Sequence, residues 1–321
     1  MNSIDRVLRS NLKLKHLQLL VALDQLRHLG KTAEFLAITQ PAVSKTLSEI
    51  ERLFDLTLFK RSTRGTEPTA YGESVVRFAK SVLSEFERTK EDLQATATGA
   101  SGKTNVGAMV VAMPTLLSPA IGHLKSTSEK TRVMVEEGDL TRLLPRLRRG
   151  ELDLLVGRLE PGYAAPDLQT EALYSDPMCL VVHTHHPLAK KRKVTWDALV
   201  SWPWVVPPPW ASSRTKLVQM FHQHGLNPPE NLVETASFLA ILNTVTEQEA
   251  IGFVAREVGM HFERKGLFKI LPIPLVMDLP PVGLITLRGQ EPSHATHALM
   301  ASLRKMASCS RRKATACLVA S

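Results

Sequence analysis

The stretch of sequence that decides the fold is Lys31–Phe54, which reads KTAEFLAITQPAVSKTLSEIERLF. A helix-turn-helix needs a small residue where its helices touch, a tight turn, and a buried position in the second helix. The small residue is Ala33, the turn is formed by residues 38–39, and the buried position is held by Val43. Thr39 is also a good N-cap residue for the second helix. From the spacing alone, the alternative is a plain helical hairpin that binds no nucleic acid.

The start of that second helix carries side chains suited to reading DNA. In a recognition helix this end reaches base edges in the major groove. A glutamine pairs with adenine, a lysine donates to guanine, and a proline or alanine touches a thymine methyl group. The residues expected to face bases are Gln40, Pro41, Ala42, Ser44 and Lys45.

The flanking residues predict the rest of a small domain. Apolar residues recur at helical spacing over Leu14–Val21, and Gly30 is expected to end this first helix. A short second helix is expected over 33–37. Leu56–Tyr71 predicts two short strands around the basic turn 60–65.

A long helical pattern then runs from residue 70 to residue 94. Its apolar positions alternate by four and three, which makes a heptad-like seam. A single helix of this kind buries little surface alone, so the seam favours pairing with a second chain over packing inside one domain. The seam residues expected to mediate dimerisation are Val75, Ala79, Val82, Phe86 and Leu93.

Residues 95–103 are small and polar, as in a linker, and strands then alternate with helices. This alternation predicts an α/β fold with parallel sheets. The predicted strands are 106–113, 132–135, 152–156, 178–183, 204–206, 232–234, 251–254, 268–271 and 282–287. The predicted helices are 116–126, 140–149, 214–224, 237–247 and 294–305. Residues 309–321 show no clear pattern and are expected to form a mobile tail.

Composition excludes several classes of protein. The chain has 321 residues, of which 44% are hydrophobic and 22% charged, so it is neither disordered nor a disulfide-bonded miniprotein. Three cysteines without CxxC spacing favour a reducing compartment. No signal peptide or membrane span is expected, which predicts a cytoplasmic protein. The net charge of +9 permits nucleic-acid binding without locating it.

The first 90 or so residues resemble the LysR-type transcriptional regulators. The match lies in Leu14–Arg27, in Thr32-Ala33, and in 39–72, TQPAVSKTLSEIERLFDLTLFKRSTRGTEPTAYG. It includes the Thr-Gln-Pro-Ala start of the recognition helix, Leu-Phe-x-Arg, and Thr-x-x-Gly before the long helix. Asp55 stands where the family usually has glycine, and Ile50 where it usually has leucine.

The resemblance implies a winged helix-turn-helix over residues 1–70 that binds double-stranded DNA. It gives base contacts to the five residues named above and a phosphate contact to Thr32. Arg61 and Arg64 would touch phosphate or the minor groove from the wing, although a solvated turn is the plain alternative. The helix over 71–94 would pair antiparallel with a partner's, and the family commonly forms tetramers.

The region 104–306 also resembles the family, whose C-terminal module has two α/β lobes like a periplasmic binding protein. The matching stretches include VMVEEGDLTRLLPRLRRGELDLLVGRL and HTHHPLAKK. The implied effector domain spans 104–308 after the linker 95–103 and before the tail 309–321. Its first lobe would comprise 104–175 and 276–308, and its second lobe 176–275. The chain would cross between lobes near 175–176 and 275–278.

A small effector, either a carboxylate or a sugar-like molecule, is expected in the cleft between the lobes. Ligands of α/β sheets bind beyond the carboxyl ends of strands, helix starts favour anions, and an arginine can clamp a carboxylate. Each candidate has ordinary loop or cap duty as its alternative. The candidate effector residues are Thr115, Arg158, Pro207, Ser212, Ser213 and Phe238.

Other clusters in the sequence suggest no chemistry. Three neighbouring histidines, His183, His185 and His186, are interpreted as a strand-to-loop transition rather than a metal site, and the four tryptophans as packing residues. No catalytic spacing, metal site or cofactor motif is recognised. The sequence therefore predicts an effector-responsive DNA-binding regulator. The alternatives are a ligand-binding module without specific DNA binding and a cleft enzyme.

Overall fold

The computed structural model describes residues 7–62, 65–98 and 102–319, apart from the side chains of Ser10, Arg61, Ser62, Glu91, Asp92, 94–98 and 309–319. The chain forms two compact units. The N-terminal unit comprises Met1–Gln94 with Arg148–Glu151, and the C-terminal unit comprises Ala95–Leu147 with Leu152–Ser321. In the part that the structure describes, no helix is both long and apolar enough to cross a membrane.

The N-terminal unit contains three short helices, a two-stranded hairpin and a long helix. A π-helical turn, Val7–Asn11, precedes them. The helices are α1 (Leu14–Leu26), α2 (Leu29–Phe35), α3 (Gln40–Phe54) and α4 (Ala70–Thr98), and the strands are β1 (Phe59–Ser62) and β2 (Gly65–Pro68). The predicted helix-turn-helix is present, with Val43, Leu47 and Ile50 of α3 fully buried against α1 and α2.

Gly30 does not end the first helix, contrary to the sequence prediction. Helix α1 ends at Leu26, and Arg27 takes the left-handed conformation with φ 52°. The ring of His28 then caps α2 by accepting hydrogen bonds from the amides of Gly30 and Lys31. A glycine was expected at this stop because it adopts positive φ without steric cost, but a non-glycine residue occupies the position.

The entry to α4 explains the Thr-x-x-Gly pattern. The Thr69 hydroxyl donates to the Thr57 carbonyl at 2.8 Å and accepts from the Gly72 amide at 3.1 Å, so it links the hairpin to the helix start. A Cβ atom on Gly72 would lie 2.0 Å from the carbonyl oxygen of Leu58. Only glycine therefore lets α4 approach the hairpin this closely.

Helix α4 is longer than the sequence predicted. It continues through Thr98, into the stretch 95–103 that was expected to be a linker, and residues 99–101 lie outside the described residues. The stretch 95–98, Ala-Thr-Ala-Thr, contains no glycine or proline that would end a helix. Lys80 of α4 forms an ion pair with Asp24 of α1 at 2.8 Å, which ties the long helix to the small domain.

The C-terminal unit contains two five-stranded sheets, which we call lobe I and lobe II. Lobe I has the strand order β4-β3-β5-β12-β6 and lobe II the order β11-β7-β10-β8-β9. The strands of lobe I are β3 (Lys103–Ala108), β4 (Arg132–Glu137), β5 (Leu154–Arg158), β6 (Leu168–Tyr174) and β12 (Val282–Leu287). Those of lobe II are β7 (Met178–His183), β8 (Trp204–Val206), β9 (Leu232–Glu234), β10 (Ile251–Ala255) and β11 (Phe268–Ile270).

Helices cover these sheets, and three of them differ from the prediction. They are α5 (Ser118–Thr127), α6 (Leu140–Arg148), α7 (Asp197–Val200), α8 (Ser212–Gln223), α9 (Phe238–Glu247), α10 (Arg256–Arg264) and α11 (His294–Val319). The short helix α7 was not predicted, nor was α10, and α11 is longer than expected. Helix α11 runs to Val319, so the expected tail is helical up to that residue. The alanine, arginine and lysine residues of this stretch are good helix formers.

Both sheets are mixed rather than parallel as predicted. Strand β12 is antiparallel to its neighbours β5 and β6, and β7 is antiparallel to β10 and β11. The chain leaves lobe I after Tyr174, enters lobe II at Met178, and returns at Val282. Strands that enter or leave a lobe through these two crossings have no helical crossover inside it, so nothing requires them to be parallel.

Candidate DNA-binding surface and ligand pocket

The N-terminal end of α3 exposes side chains on the side of the helix that faces away from the buried Val43, Leu47 and Ile50. Gln40, Pro41 and Lys45 are exposed, and Ala42 and Ser44 are half-buried. The five predicted base-reading residues thus occupy the outer surface of one helix end. The amide of Ala42 donates to the Thr39 carbonyl, although within the described part of the chain the Thr39 side chain forms no cap hydrogen bond.

Thr32 does not lie where the predicted phosphate contact needs it. Its side chain is fully buried, and its hydroxyl donates to the His28 carbonyl at 2.9 Å. The neighbouring Lys31, which the sequence analysis did not single out, is exposed at the start of α2. Its position beside the Thr-Ala pair was visible in the sequence.

The hairpin β1–β2 forms the wing. Arg61 pairs with Thr66 across the hairpin, and Arg64 lies outside the described residues. The carboxylate of Glu51 in α3 accepts hydrogen bonds from the amides of Leu58 and Phe59 at 2.8 and 3.0 Å. One side chain of the recognition helix therefore fixes the base of the wing.

The seam of α4 divides into two parts. Ala79 is fully buried, and Val75 packs with the helix-turn-helix core. Val82 is half-buried, whereas Phe86 and Leu93 are 46% and 67% exposed. The first part of the seam thus belongs to the N-terminal unit's own core, and only the later part leaves apolar side chains without cover in this chain.

A cavity with an empty volume of about 840 Å³, open at its mouth, lies between lobe I and lobe II. Three predicted effector residues line it: Arg158, Pro207 and Ser213. Its walls are mainly apolar, with lobe I giving Met109, Val110, Val111 and Leu140, and lobe II giving Pro208, Trp210, Ile241 and Phe253. Asp139, Glu160 and Thr235 add polar groups.

The other three predicted effector residues do not line the cavity. Thr115 lies inside a π-helical turn, Met113–Leu117, rather than at a helix start. Ser212 is the first residue of α8, but its hydroxyl is buried away from the cavity lining. Phe238 stacks on Phe262, with ring centroids 4.6 Å apart.

Trp210 was wrongly interpreted as a packing residue. It is 56% exposed and lines the cavity, whereas Trp204 is fully buried in lobe II. The three prolines that precede Trp210 prevent regular structure and hold the segment at the surface. They are the sequence signal that could have separated this tryptophan from the others.

Arg158 ends β5 and is almost fully buried, at 5% exposure. Its Nη1 donates to the Pro280 carbonyl at 2.6 Å, and its Nη2 donates to the Asp176 carbonyl at 2.9 Å. Burial lowers the pKa of the guanidinium, and the charge of Asp176 opposes that shift. In the part of the chain that the structure describes, no carboxylate forms an ion pair with this guanidinium.

The Asp176 carboxyl lies beside this arginine and is buried. One oxygen accepts from the Glu257 amide at 3.2 Å, and the other has no hydrogen-bond partner among the residues that the structure describes. Burial raises the pKa of Asp176 to about 7, although the Glu257 amide and Arg158 both act to lower it. Burial also raises the pKa of Tyr174, which neighbours Asp176 and Thr115.

The histidine cluster is structural. His186 accepts from the Leu188 amide at one ring nitrogen, has its other ring nitrogen 3.0 Å from the Glu249 carbonyl, and packs on Trp202. Burial lowers the pKa of His186. Among the described residues, no group of three or more His, Cys, Asp or Glu side chains could hold a metal ion.

Comparisons with known proteins agree with this architecture. Residues 14–73 match the family described as bacterial regulatory helix-turn-helix protein, lysR family, and residues 97–308 match the LysR substrate binding domain. The regulator GbpR of Azospirillum brasilense is 32% identical over 96% of this chain and 90% of its own length. PcaQ of Agrobacterium fabrum is 27% identical over 92% of this chain and 95% of its own.

Solved structures show the same fold. The LysR family regulator CbnR covers 92% of this chain and 99% of its own at a TM-score of 0.68 and 16% identity. Full-length CbnR in complex with its target DNA matches at 0.67, over 92% of this chain and all of its own. The predicted fold class, a winged helix-turn-helix followed by a two-lobed α/β module, is confirmed. The chain belongs to the LysR family of bacterial transcriptional regulators and is not an enzyme.

Proposed function

We propose that this regulator reads a specific DNA sequence through the start of α3 and changes its DNA binding or promoter activation when a small molecule occupies the cavity. The observation that carries the proposal is the division of α3 into a fully buried face and an exposed start with Gln40, Pro41 and Lys45. A helix fixed on one side presents its other side to the major groove in a constant register. A regulator of bacterial promoters acts in the cytoplasm.

The same surface supplies phosphate contacts. Arg61 and Arg64 reach phosphate or the minor groove from the wing, and Lys31 takes the phosphate contact first assigned to Thr32. Phosphate contacts set the register of the protein on DNA, whereas base contacts carry the sequence.

Two chains pair through the later part of α4, and pairs of dimers form a tetramer. The exposed Phe86 and Leu93 support this proposal. Changing Phe86→Lys should lower the sedimentation coefficient of the protein, because a lysine cannot be buried unpaired in an apolar contact. The matched control is Phe35→Lys, a substitution at a 67% exposed phenylalanine of α2. An unchanged coefficient in Phe86→Lys would exclude this seam as the interface.

The effector is a small carboxylate with an apolar body. A buried guanidinium without an ion pair favours an anionic ligand, and the apolar walls suit a hydrocarbon or aromatic body. Asp139 does not oppose this assignment strongly, because its carboxylate accepts from the Arg142 amide and the Thr141 hydroxyl. A neutral sugar is the second candidate, favoured by Trp210 and Tyr163 beside polar groups.

The DNA half is tested by fluorescence anisotropy on DNA from upstream of the protein's own coding region, over a salt series. We expect log K to fall linearly with log salt concentration. Gln40→Ala and Lys45→Ala should reduce discrimination against unrelated DNA. Gln223→Ala and Lys191→Ala are matched controls at exposed positions of the C-terminal unit. Weak binding that ignores sequence in every variant would leave only a ligand-binding module.

The ligand half is tested by calorimetry and thermal shift with benzoate, succinate and D-galactose. A carboxylate effector requires that benzoate or succinate bind and that Arg158→Met bind at least tenfold more weakly. Arg304→Met is the matched control, since Arg304 pairs with Glu171 at the surface of lobe I. Binding of D-galactose alone would favour the sugar.

A further inference from the structure

Arg158 holds both chain crossings between the lobes as well as lining the cavity. The first crossing, residues 175–177, supplies the Asp176 carbonyl, and the second, residues 271–281, supplies the Pro280 carbonyl. The arginine itself belongs to β5 of lobe I. One guanidinium therefore lines the cavity and contacts both crossings. Any change in the angle between the lobes must bend these two crossings.

The arginine has donors left for a ligand. A guanidinium carries five N–H groups in a planar fork. Nη1 bonds the second crossing and Nη2 bonds the first. Nη2 also makes a long contact of 3.9 Å to the Met178 sulfur. The unengaged N–H groups belong to the same rigid plane, so a ligand that bonds them also restrains the two N–H groups that bond the crossings.

The charge of Arg158 gives an anion a reason to bind there. Its two close partners are neutral carbonyl oxygens, and the nearby Asp176 carboxyl is itself disfavoured as an anion by burial. A buried cation that lacks a full counter-charge gains most from an incoming anion. Of the two carboxylates that line the cavity, Asp139 and Glu160, Glu160 is the one whose charge acts on Arg158 and would oppose an incoming anion.

We propose that Arg158 is the positioning residue that transmits occupancy of the cavity to the hinge, by holding the carbonyls of Asp176 and Pro280 in one plane with its ligand-binding edge. This inference rests on the proposed carboxylate effector. An anion at the free edge fixes the plane of the guanidinium, and the plane fixes both crossings together. A lysine keeps the charge but cannot hold two carbonyls and a carboxylate in a single plane.

The test uses the full-length protein with benzoate and succinate as probes, and amide hydrogen exchange at residues 175–178 and 275–279 as the readout. In the wild type, the probe that binds should slow exchange at both crossings together and change DNA affinity. In Arg158→Lys, probe binding should persist within about tenfold, while protection of the crossings and the DNA response are lost. Arg304→Lys should behave like the wild type.

A second variant separates charge from geometry. Glu160→Gln removes the opposing charge without touching either crossing, so it should bind the anionic probe more tightly and keep the coupled protection. Protection of the cavity lining without both crossings, in the wild type itself, would overturn the proposal even if Arg158→Lys failed to fold. Coupled protection that survives in Arg158→Lys would overturn it while leaving the effector site intact. Failure of both probes to bind would overturn the carboxylate effector, and the coupling with it.

Discussion

The two units of this chain place their proposed functional residues in opposite ways. In the N-terminal unit, the five proposed base-reading residues fall within six consecutive positions at one helix end. In the C-terminal unit, the cavity gathers Met109, Arg158, Trp210 and others from segments far apart in sequence. A contiguous site depends on one local element, whereas a dispersed site depends on the whole topology. The two sites should therefore respond differently to damage.

The largest expected effect tests whether the units are independent. Leu47→Ala leaves a cavity in the helix-turn-helix core, which should destabilise that unit by about 2–5 kcal/mol. DNA binding should be lost, while the melting transition of the C-terminal unit stays unchanged in calorimetry. Lys45→Ala, two positions away and exposed, should leave both transitions unchanged. A shift of both transitions in Leu47→Ala would show that the units fold as one.

The second prediction concerns pH and only the C-terminal unit. The pKa of Asp176 is raised by burial to about 7, so the folded state holds a proton that the unfolded chain releases above about pH 4. The free energy of unfolding should therefore fall as pH rises through this window, by up to about 1.4 kcal/mol per pH unit. The charged and titratable groups around it are Arg158, Tyr174, Arg256 and Glu257.

Asp176→Asn should flatten that dependence, because an amide does not titrate but still accepts from the Glu257 amide. Urea unfolding of the full-length protein between pH 4 and pH 7.5 measures it. Asp197→Asn changes an exposed carboxylate of α7 and is the control. An equal slope in Asp176→Asn and the wild type would mean that Asp176 is ionised throughout.

The third prediction asks how local the DNA surface is. Glu51→Ala removes the acceptor of two wing amides, which should cost about 1–3 kcal/mol in the N-terminal unit. The slope of log K against log salt should also become shallower, because the wing loses its fixed position. Glu49→Ala, an exposed carboxylate of the same helix, should change neither quantity. If the slope persists in Glu51→Ala, the wing does not depend on this contact.

The smallest prediction has the opposite sign. Asp55 ends α3 in the left-handed conformation, with φ 54°. Asp55→Gly removes the steric cost of that conformation, and after the entropy of the unfolded chain is counted, the gain should be below about 1 kcal/mol. A small rise in the midpoint of the first calorimetric transition, without change in DNA specificity, is the expected result.

The sequence predicts the N-terminal unit better than the cavity for physical reasons. Val43, Leu47 and Ile50 recur at helical spacing in one stretch of chain, so the helical period shows which face is buried. The cavity contains Trp210 because a proline run holds it out, and it excludes Phe238 because that ring stacks on Phe262. Neither arrangement produces a repeating pattern of residues that the sequence could reveal. The prediction that the first helix ends at Gly30 was wrong for a related reason. Arg27 adopts the positive φ for which glycine is usually needed.

The position of β12 has a consequence for synthesis of the chain. Lobe II comes from one continuous stretch, 178–270, whereas the sheet of lobe I is completed by β12 inserting between β5 and β6. Until residue 287 has left the ribosome, two strands of lobe I lack their shared neighbour, and the apolar β5 presents an open edge. An open apolar edge invites pairing with other nascent chains. A message truncated before β12 should thus yield an aggregating product rather than a smaller regulator.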